Sequence, residues 1–164
     1  MPDSPRDGGE KGMAKIEASV VIDRPVEDVW KFISDWNNAP KWNTWREARG
    51  LLEAKVTSEG PSGVGTTVQS RWSTRPHLAM SRIMEYEPGR KFTVEVTSPQ
   101  MIRGTRESLS LENIEGRTKF NSAWELKFNG LFRLLGAFQI GRFRGFNEAR
   151  IGNVKRILES EAKS

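Results

Sequence analysis

The sequence contains no cysteine and only one histidine, His77. The absence of cysteine excludes disulfide bonds, cysteine metal ligands and cysteine nucleophiles, and it suits a reducing compartment. A lone histidine excludes any metal site or mechanism that needs two imidazole groups. These absences leave little conventional catalytic equipment and favour binding over catalysis. The sequence therefore predicts neither a metal site nor a cofactor.

Long hydrophobic runs are also missing, because no stretch approaches the roughly 20 apolar residues that a transmembrane helix needs. The first residues, MPDSPRDGGEKG, are polar and rich in proline and glycine, unlike a secretory signal. We expect residues 1–13 to form a flexible tail, with Met13 as an alternative native start. A chain of 164 residues is long enough for one sizeable core, so residues 14–164 are predicted to form a single domain. The expected location is the cytoplasm.

Positive charge is concentrated at the C-terminal end of the chain. The formal net charge is +5, and residues 127–164 contain eight Lys and Arg against three Asp and Glu. Residues 1–126 are balanced, with 18 side chains of each sign. Any contact with an acidic partner is therefore expected in the C-terminal segment.

Alternation of apolar and polar side chains predicts an antiparallel β-sheet. Residues 16–22 alternate and are typical of a half-buried strand. Further strands are predicted over residues 48–58, 66–73, 79–87, 91–97, 105–114 and 118–128, separated by turn signals such as GPSGVG and EPGR. The alternation is clearest in the last of these strands, which predicts one face on a core and one in water.

Helical spacing predicts two short helices after the first strand and a long helix at the end. The first covers residues 25–35, and the second precedes a loop, with Trp42 and Trp45 on one side of a helical turn. The terminal helix carries a stripe formed by Ile140, Phe143, Asn147, Ile151, Val154 and Leu158. Because glycine is unfavourable inside helices, the glycines near its start predict a break or kink between residues 135 and 141, followed by a helix of about 20 residues.

Four strings accompany this layout: IDRPVEDVWKFISDWNNAPKW at 22–42, GPSGVGTTV at 60–68, MEYEPGRKF at 84–92 and TKFNSAWELKFNGLFRLLG at 118–136. In these strings and in the order of its elements, the chain resembles the START-related, or Bet v 1-like, superfamily (SRPBCC) over residues 14–160, in its polyketide cyclase/dehydrase-like branch. The resemblance implies an α+β helix-grip fold. Its curved antiparallel sheet of about six or seven strands would wrap around a long C-terminal helix. It also implies an elongated apolar cavity between sheet and helix for a lipid, sterol, quinone or polyketide-like molecule.

Strand and helix parity select the residues that would line such a cavity. The apolar candidates are Trp72, Phe92, Val94, Leu109, Phe120, Trp124, Ile140, Phe143 and Ile151, each of which could also be an ordinary core side chain. The polar candidates are Arg82, Glu107, Ser122 and Asn147, which occupy apolar registers. Because an unpaired buried polar group costs about 1–3 kcal/mol, we expect these four to orient a ligand. The alternatives are that they are satisfied buried groups, or that a bulge turns Arg82 outward.

The leading functional hypothesis is the binding of a hydrophobic small molecule by a carrier or sequestering protein, as a monomer or weak homodimer. The alternative is a cyclase or dehydratase that uses the same cavity. Its acid–base chemistry could come from Glu107 with Arg82 or Tyr86. His77, in a predicted loop, could be a base at the cavity mouth or simply a solvated side chain.

A third hypothesis concerns the basic C-terminal segment, where Arg142, Arg144 and Arg150 alternate with phenylalanines. This pattern could indicate an interaction module for an anionic membrane or a ribonucleoprotein. It could also mean that the arginines solvate the outer side of a helix. Nucleic acid is the weakest partner, because a charge of +5 is modest and no nucleic-acid motif is present.

Overall fold

The structure, a computed structural model, describes residues 13–45 and 49–163. Its strands are β1 (Met13–Ile22), β2 (Leu51–Val56), β3 (Thr67–Trp72), β4 (Leu78–Glu87), β5 (Lys91–Ser98), β6 (Arg106–Ile114) and β7 (Arg117–Lys127). Its α-helices are α1 (Val26–Ile33), α2 (Ala39–Trp42) and α3 (Phe132–Glu161), and short 3-10 turns span Trp36–Asn38 and Gln100–Ile102. Residues 1–12 of the predicted tail and residue 48 of a predicted strand lie outside the described residues.

All seven strands form one antiparallel sheet in the order β1-β7-β6-β5-β4-β3-β2. Strands β2 to β7 follow the chain, and β1 closes the other edge by pairing with β7, where Ile16 lies opposite Trp124. The sheet curls around α3, and α1 and α2 follow β1. The predicted helix-grip fold is confirmed.

The main core lies between the concave face of the sheet and the helices. α1 buries Val29, Phe32 and Ile33, because these side chains share one face of the helix. They pack with a larger set from the sheet, α2 and α3: Ile22, Trp42, Phe92, Leu109, Leu111, Phe120, Ile151, Val154 and Leu158. The second half of α3 is therefore fixed against the sheet by apolar burial.

α3 is one continuous helix, so the alternative of a break between residues 135 and 141 is wrong, and the alternative of a kink stays a prediction. Gly136 instead permits a close packing contact, since a Cβ atom there would lie 2.3 Å from the ring of Phe128. A Cβ atom on Gly141 or Gly145 would meet nothing within 4 Å. The helix accepts these glycines because backbone hydrogen bonding continues through them.

α2 ends at Trp42, so the prediction that Trp42 and Trp45 share a helical turn is wrong. Asn43 leaves the helical conformation with a ψ of 55°, and Thr44 forms a β-bridge with Gly50. Gly50 has a φ of +152°, and a Cβ atom there would lie 2.4 Å from the carbonyl oxygen of Asn43. This close approach of two backbone segments fixes the position of Asn43.

The pairing of β4 with β5 has two irregularities of register: β5 has the extra residue Thr97 opposite Met80 and Ser81, and β4 has the extra residue Met84 between Ile83 and Glu85. They change which side chains face the core: Ile83 is buried and Arg82 is exposed. The prediction that Arg82 points inward is wrong, and the alternative of a bulge in this strand is the correct one.

The C-terminal end of α3 is attached to the end of β1. Lys155 Nζ donates a 2.8 Å hydrogen bond to the carbonyl of Val21, and the backbone N–H of Asp23 donates a 2.9 Å bond to Glu159 Oε1. The hydrogen bond from Lys155 and the one from Asp23 lower the pKa of Glu159 below its ordinary value.

Candidate functional site

Five polar side chains meet where α3 crosses β6 and β7. This polar cluster consists of Asn43, Glu107, Ser122, Asn147 and Arg150, and none of its members is more than 7% exposed. Pairing of β6 with β7 brings the two strand residues together, since Ser122 lies opposite Leu109 and Glu107 lies opposite Trp124. The helix supplies Asn147 and Arg150 one turn apart, and the loop after α2 supplies Asn43.

Arg150 is the centre of the polar cluster. Its Nη1 donates to Glu107 Oε1 in a buried ion pair, and its Nε donates a 2.7 Å hydrogen bond to Asn43 Oδ1. Taking two such charges out of water costs several kcal/mol per ion unless good geometry and further hydrogen bonds compensate for it. Here Nη1 also lies 3.1 Å from Asn147 Oδ1 and 3.3 Å from Ser122 Oγ. A buried charge pair of this kind is a costly element of the core, and it shapes a specific polar environment.

The orientation of the Asn147 amide is determined by its neighbours. Its Oδ1 faces three donors: Ser122 Oγ at 2.9 Å, Trp124 Nε1 at 3.2 Å and Arg150 Nη1. Exchanging the amide oxygen and nitrogen would direct an NH₂ group at these donors. The oxygen therefore belongs on this side. The Asn147 Nδ2 group points away from them and has no hydrogen-bond partner among the described residues.

A second buried donor, Trp42 Nε1, also lacks a partner among the described residues. The guanidinium carbon of Arg150 lies 4.5 Å from the centroid of the Trp42 ring, so this tryptophan belongs to the surroundings of the polar cluster. Nearly all buried N–H groups in native proteins are paired with protein, water or a ligand. Two unpaired donors close to one buried arginine therefore indicate a place for an acceptor.

A group of half-buried aromatic rings lies beside the polar cluster. This aromatic cluster consists of Trp72, Trp124, Phe143 and Phe146. The rings meet edge to face, with centroids 4.9 Å apart for Trp124 and Phe143 and 6.2 Å apart for Trp72 and Phe146. The Arg150 guanidinium lies 5.3 Å from the Trp124 ring, which joins the two clusters. Apolar rings with a few convergent polar groups are typical of small-molecule sites.

An open pocket lies further towards the start of α3. It has a volume of about 450 Å³ and is lined by Trp45, Arg49, Gly141 and Arg142. Gly141 precedes Phe143 of the aromatic cluster by two residues. The pocket is thus formed by the first half of α3 and by residues that follow α2.

The comparisons with known proteins agree with this geometry. The family described as polyketide cyclase / dehydrase and lipid transport matches residues 13–159. The chain belongs to this family. The SRPBCC relationship inferred from the sequence is thereby confirmed. No curated protein matches the chain by sequence.

Solved structures similar to this family member share its fold at low sequence identity. The di-domain ARO/CYC StfQ of the steffimycin biosynthetic pathway has a TM-score of 0.73 and 11% identity, over 93% of this chain and 52% of StfQ. A protein from Nitrosospira multiformis has a TM-score of 0.68 and 14% identity, over 92% of this chain and 100% of its own. Ara h 8.0201 has a TM-score of 0.60 and 15% identity, over 87% of this chain and 97% of its own. At these identities the likeness shows the fold, and the family supports a hydrophobic ligand-binding or cyclase-type role.

The structure brings only some of the predicted ligand contacts together in the polar and aromatic clusters. Glu107, Ser122 and Asn147 are in the polar cluster, and the aromatic cluster includes three predicted apolar candidates: Trp72, Trp124 and Phe143. The remaining candidates are distributed as follows: Phe92, Leu109, Phe120 and Ile151 in the main core, Val94 and Ile140 half-buried, and Arg82 exposed. Contact of any of them with a ligand stays a prediction.

Sequence reasoning missed Asn43, Trp42 and Arg150. The interpretation of Arg150 as a residue that solvates the outer side of α3 is wrong, whereas Arg142 and Arg144 are exposed. A signal was present, because Arg150 follows Asn147 by three residues and precedes Val154 by four, on the buried face of the helix. Nothing local marked Asn43, whose role depends on a contact across the fold.

The residues named for acid–base chemistry are separated in the structure. Glu107 is paired with Arg150, while Tyr86 packs its ring against Trp30 with centroids 5.6 Å apart. His77 is exposed in the loop between β3 and β4, with Nδ1 3.2 Å from the carbonyl of Trp72. Among the described residues, no group of three His, Cys, Asp or Glu side chains could hold a metal ion, and no helix is long and apolar enough to cross a membrane.

Proposed function

We propose that the protein binds a hydrophobic small molecule that carries a hydrogen-bond acceptor, as a carrier or sequestering protein. The apolar body of the molecule lies against the aromatic cluster. Its acceptor oxygen, for example a quinone, ketone or ester carbonyl, takes a hydrogen bond from Asn147 Nδ2 or Trp42 Nε1. The observation that carries this proposal is the pair of buried donors without a partner among the described residues.

Entry of the ligand requires a local movement, because both donors are buried. The half-buried rings of Trp72, Phe143 and Phe146 are the natural moving parts, since they contact one another through edge-to-face pairs. Displacing them towards the open pocket at Gly141 and Arg142 would uncover the polar cluster. The main core around Phe120 and Val154 would stay in place, because it is packed on all sides.

Binding is favoured over catalysis by the environment of the one carboxylate in the polar cluster. Glu107 Oε1 accepts from Arg150, and the Ser122 hydroxyl lies 3.3 Å away. A general base must be within reach of the proton that it removes, and this oxygen already accepts from the Arg150 guanidinium. The arrangement suits orientation of a ligand better than proton transfer.

Paired ligands test the proposal. Menadione offers two carbonyl acceptors on a bicyclic body, and 2-methylnaphthalene has a similar body with none. The chain has no cysteine thiol that could react with menadione. Titration calorimetry should show that the wild-type protein binds menadione more tightly than 2-methylnaphthalene, by about threefold to tenfold, since one hydrogen bond contributes about 0.5–1.5 kcal/mol.

Two conservative variants assign that preference to the donors. Asn147→Asp keeps an acceptor for Ser122, Trp124 and Arg150 but removes the NH₂ group, and Trp42→Phe keeps the ring but removes its N–H. Each of these variants should reduce the preference for menadione. The matched controls are Asn121→Asp, at a β7 position that faces away from Ser122, and Trp36→Phe. Both controls should leave the preference unchanged. Equal binding of the two ligands by the wild-type protein, or an unchanged preference in both site variants, would refute the proposal. Thermal unfolding of each variant confirms that it is folded.

A cyclase or dehydratase activity is the second candidate, and the observation in its favour is the family itself, which is described as polyketide cyclase / dehydrase and lipid transport. StfQ, the di-domain ARO/CYC of the steffimycin biosynthetic pathway, shares the fold. Native mass spectrometry after incubation with a linear polyketide mimic separates the two roles. Recovery of the compound with unchanged mass supports carriage, and a loss of water that Glu107→Gln abolishes supports the enzyme.

A further inference from the structure

Large apolar side chains are exposed at the start of α3. Leu131, Leu134, Leu135 and Phe138 are 76%, 74%, 54% and 85% exposed. They recur at the i, i+3, i+4, i+7 spacing that places residues on one face of a helix. We call these four residues the apolar face.

The apolar face projects because α3 is longer than the part of it that the sheet covers. A helix of 30 residues is about 45 Å long. From residue 131 to residue 142, Gly136 is the only buried position among those whose burial is described, and Ile140 is half-buried. Regular burial begins near Phe143. The first turns therefore present apolar side chains to the surroundings, which is unusual for a surface that contacts water alone.

The charges around the apolar face have one sign. No acidic residue occurs between Glu125 and Glu148, and this interval contains Lys127, Arg133, Arg142 and Arg144. The three arginines are exposed. The first turn of α3 also has no acidic residue and no side-chain cap, so the positive end of the helix dipole is not neutralised by a side chain of that turn.

The positive charges around the apolar face indicate which kind of surface it contacts. In a symmetric dimer the same patch would meet itself, and the arginines of both copies would be brought close together. An anionic bilayer surface has the opposite charge, and its interface accepts apolar side chains below a layer of phosphate groups. Apolar residues that project together with a basic rim fit such a surface.

We propose that the start of α3 is a membrane-docking surface for anionic lipid bilayers. Leu134 and Phe138 enter the boundary between headgroups and acyl chains, and Arg133, Arg142 and Arg144 contact the phosphates. Docking places the pocket lined by Gly141 and Arg142 next to the bilayer. The inference rests on exposure and charge at one end of α3, and it holds whether or not the polar cluster binds a ligand.

Vesicle sedimentation tests the docking surface with the full chain. The vesicles contain phosphatidylcholine alone or with about 30% phosphatidylglycerol, enough to give a negative surface potential. The wild-type protein should sediment with the anionic vesicles and much less with the neutral ones. The double variant Leu134→Ser/Phe138→Ser should bind roughly tenfold more weakly or worse, because each inserted side chain contributes more than 1 kcal/mol. The matched control is Val64→Ser/Leu78→Ser, which removes two exposed apolar side chains elsewhere and should bind as the wild type does.

The charge contribution is tested separately. Arg142→Gln/Arg144→Gln should weaken binding to the anionic vesicles roughly thirtyfold, since each of the two basic residues near such a surface contributes about 1 kcal/mol. The exposed pair Lys55→Gln/Arg117→Gln should have little effect. The proposal is overturned if the wild-type protein stays in the supernatant or if Leu134→Ser/Phe138→Ser sediments as before. It is also overturned if that variant converts a dimer to a monomer in size-exclusion chromatography, because the occupant would then be a second copy.

Discussion

Arg150 Nε donates a 2.7 Å hydrogen bond to the Oδ1 atom of Asn43, which lies 107 positions earlier in the chain. Asn43 in turn donates from Nδ2 to the carbonyl of Ala39 at 2.8 Å. One turn further along α3, Asn153 donates to the carbonyls of Trp42 and Thr44. The loop after α2 is thus attached to the terminal helix at two successive turns. The polar cluster depends on this attachment, because the loop supplies Asn43.

Replacement of the central arginine should be strongly destabilising. Arg150→Met keeps an apolar stem but leaves Glu107 as a buried charge without its partner, which costs about 3–5 kcal/mol. Urea unfolding measures the change in the free energy of unfolding, and the exposed Arg144→Met is the matched control. The double variant Glu107→Gln/Arg150→Met should be more stable than Arg150→Met alone. A loss below about 1 kcal/mol would mean that the pair is not buried as described.

The loop attachment also depends on Gly50. A side chain at this position would collide with the carbonyl of Asn43 and would sit at an unfavourable φ of +152°. Gly50→Ala should therefore lower the free energy of unfolding by about 1–3 kcal/mol. Gly63→Ala, where a Cβ atom meets nothing within 4 Å, should change it little. Equal effects in thermal unfolding would contradict the close approach of these segments.

Two glycines of α3 should respond to alanine in opposite directions. Gly136→Ala forces the ring of Phe128 to move and should destabilise the protein, by about 1–3 kcal/mol. Gly141→Ala meets no neighbour within 4 Å and should stabilise it by about 0.5–1 kcal/mol, because alanine favours the helix. Denaturant midpoints of the two variants provide the comparison. Stabilisation by both would show that α3 does not pack against Phe128.

Glu159 should make stability depend on pH in the acid range. Hydrogen bonds from Lys155 and from the backbone N–H of Asp23 lower its pKa from the ordinary value of 4.5. Its stabilising contribution is therefore complete above that value and is lost as the pH falls through the lowered pKa. Glu159→Gln should be less stable than the wild type at neutral pH, by less than about 1 kcal/mol because the pair is partly exposed. The difference should vanish once the pH lies well below the lowered pKa of Glu159.

The sequence predicted the fold well where local chemistry determined structure. Period-two alternation located β7 to within one residue at each end, and the turn signals separated the middle strands correctly. It failed where two elements had to be considered together. The prediction of a break near Gly136 was wrong because this glycine makes room for the ring of Phe128, which lies outside the helix.

The candidate site was predicted in part for the same reason. Glu107, Ser122 and Asn147 could be recognised as polar residues in apolar registers, and the structure joins them through hydrogen bonds. Arg82 shared that signal, but irregular register in β4 exposes it, and strand parity cannot anticipate a bulge. Arg150 was missed because arginine usually solvates a helix surface, and its buried partners come from three other elements.

The position of β1 at the sheet edge has a consequence for the order of folding during synthesis. β1 is synthesised before the other strands of the sheet, yet its neighbour β7 and the helix α3 that packs on it are synthesised after all of them. Strands β2 to β6 can pair as successive hairpins while translation continues, but β1 must wait with an unpaired backbone and apolar side chains such as Ile16. Such a segment is a target for chaperones and for unwanted strand pairing. The domain thus acquires its complete core only after β7 and α3 have been synthesised and β1 has paired with β7.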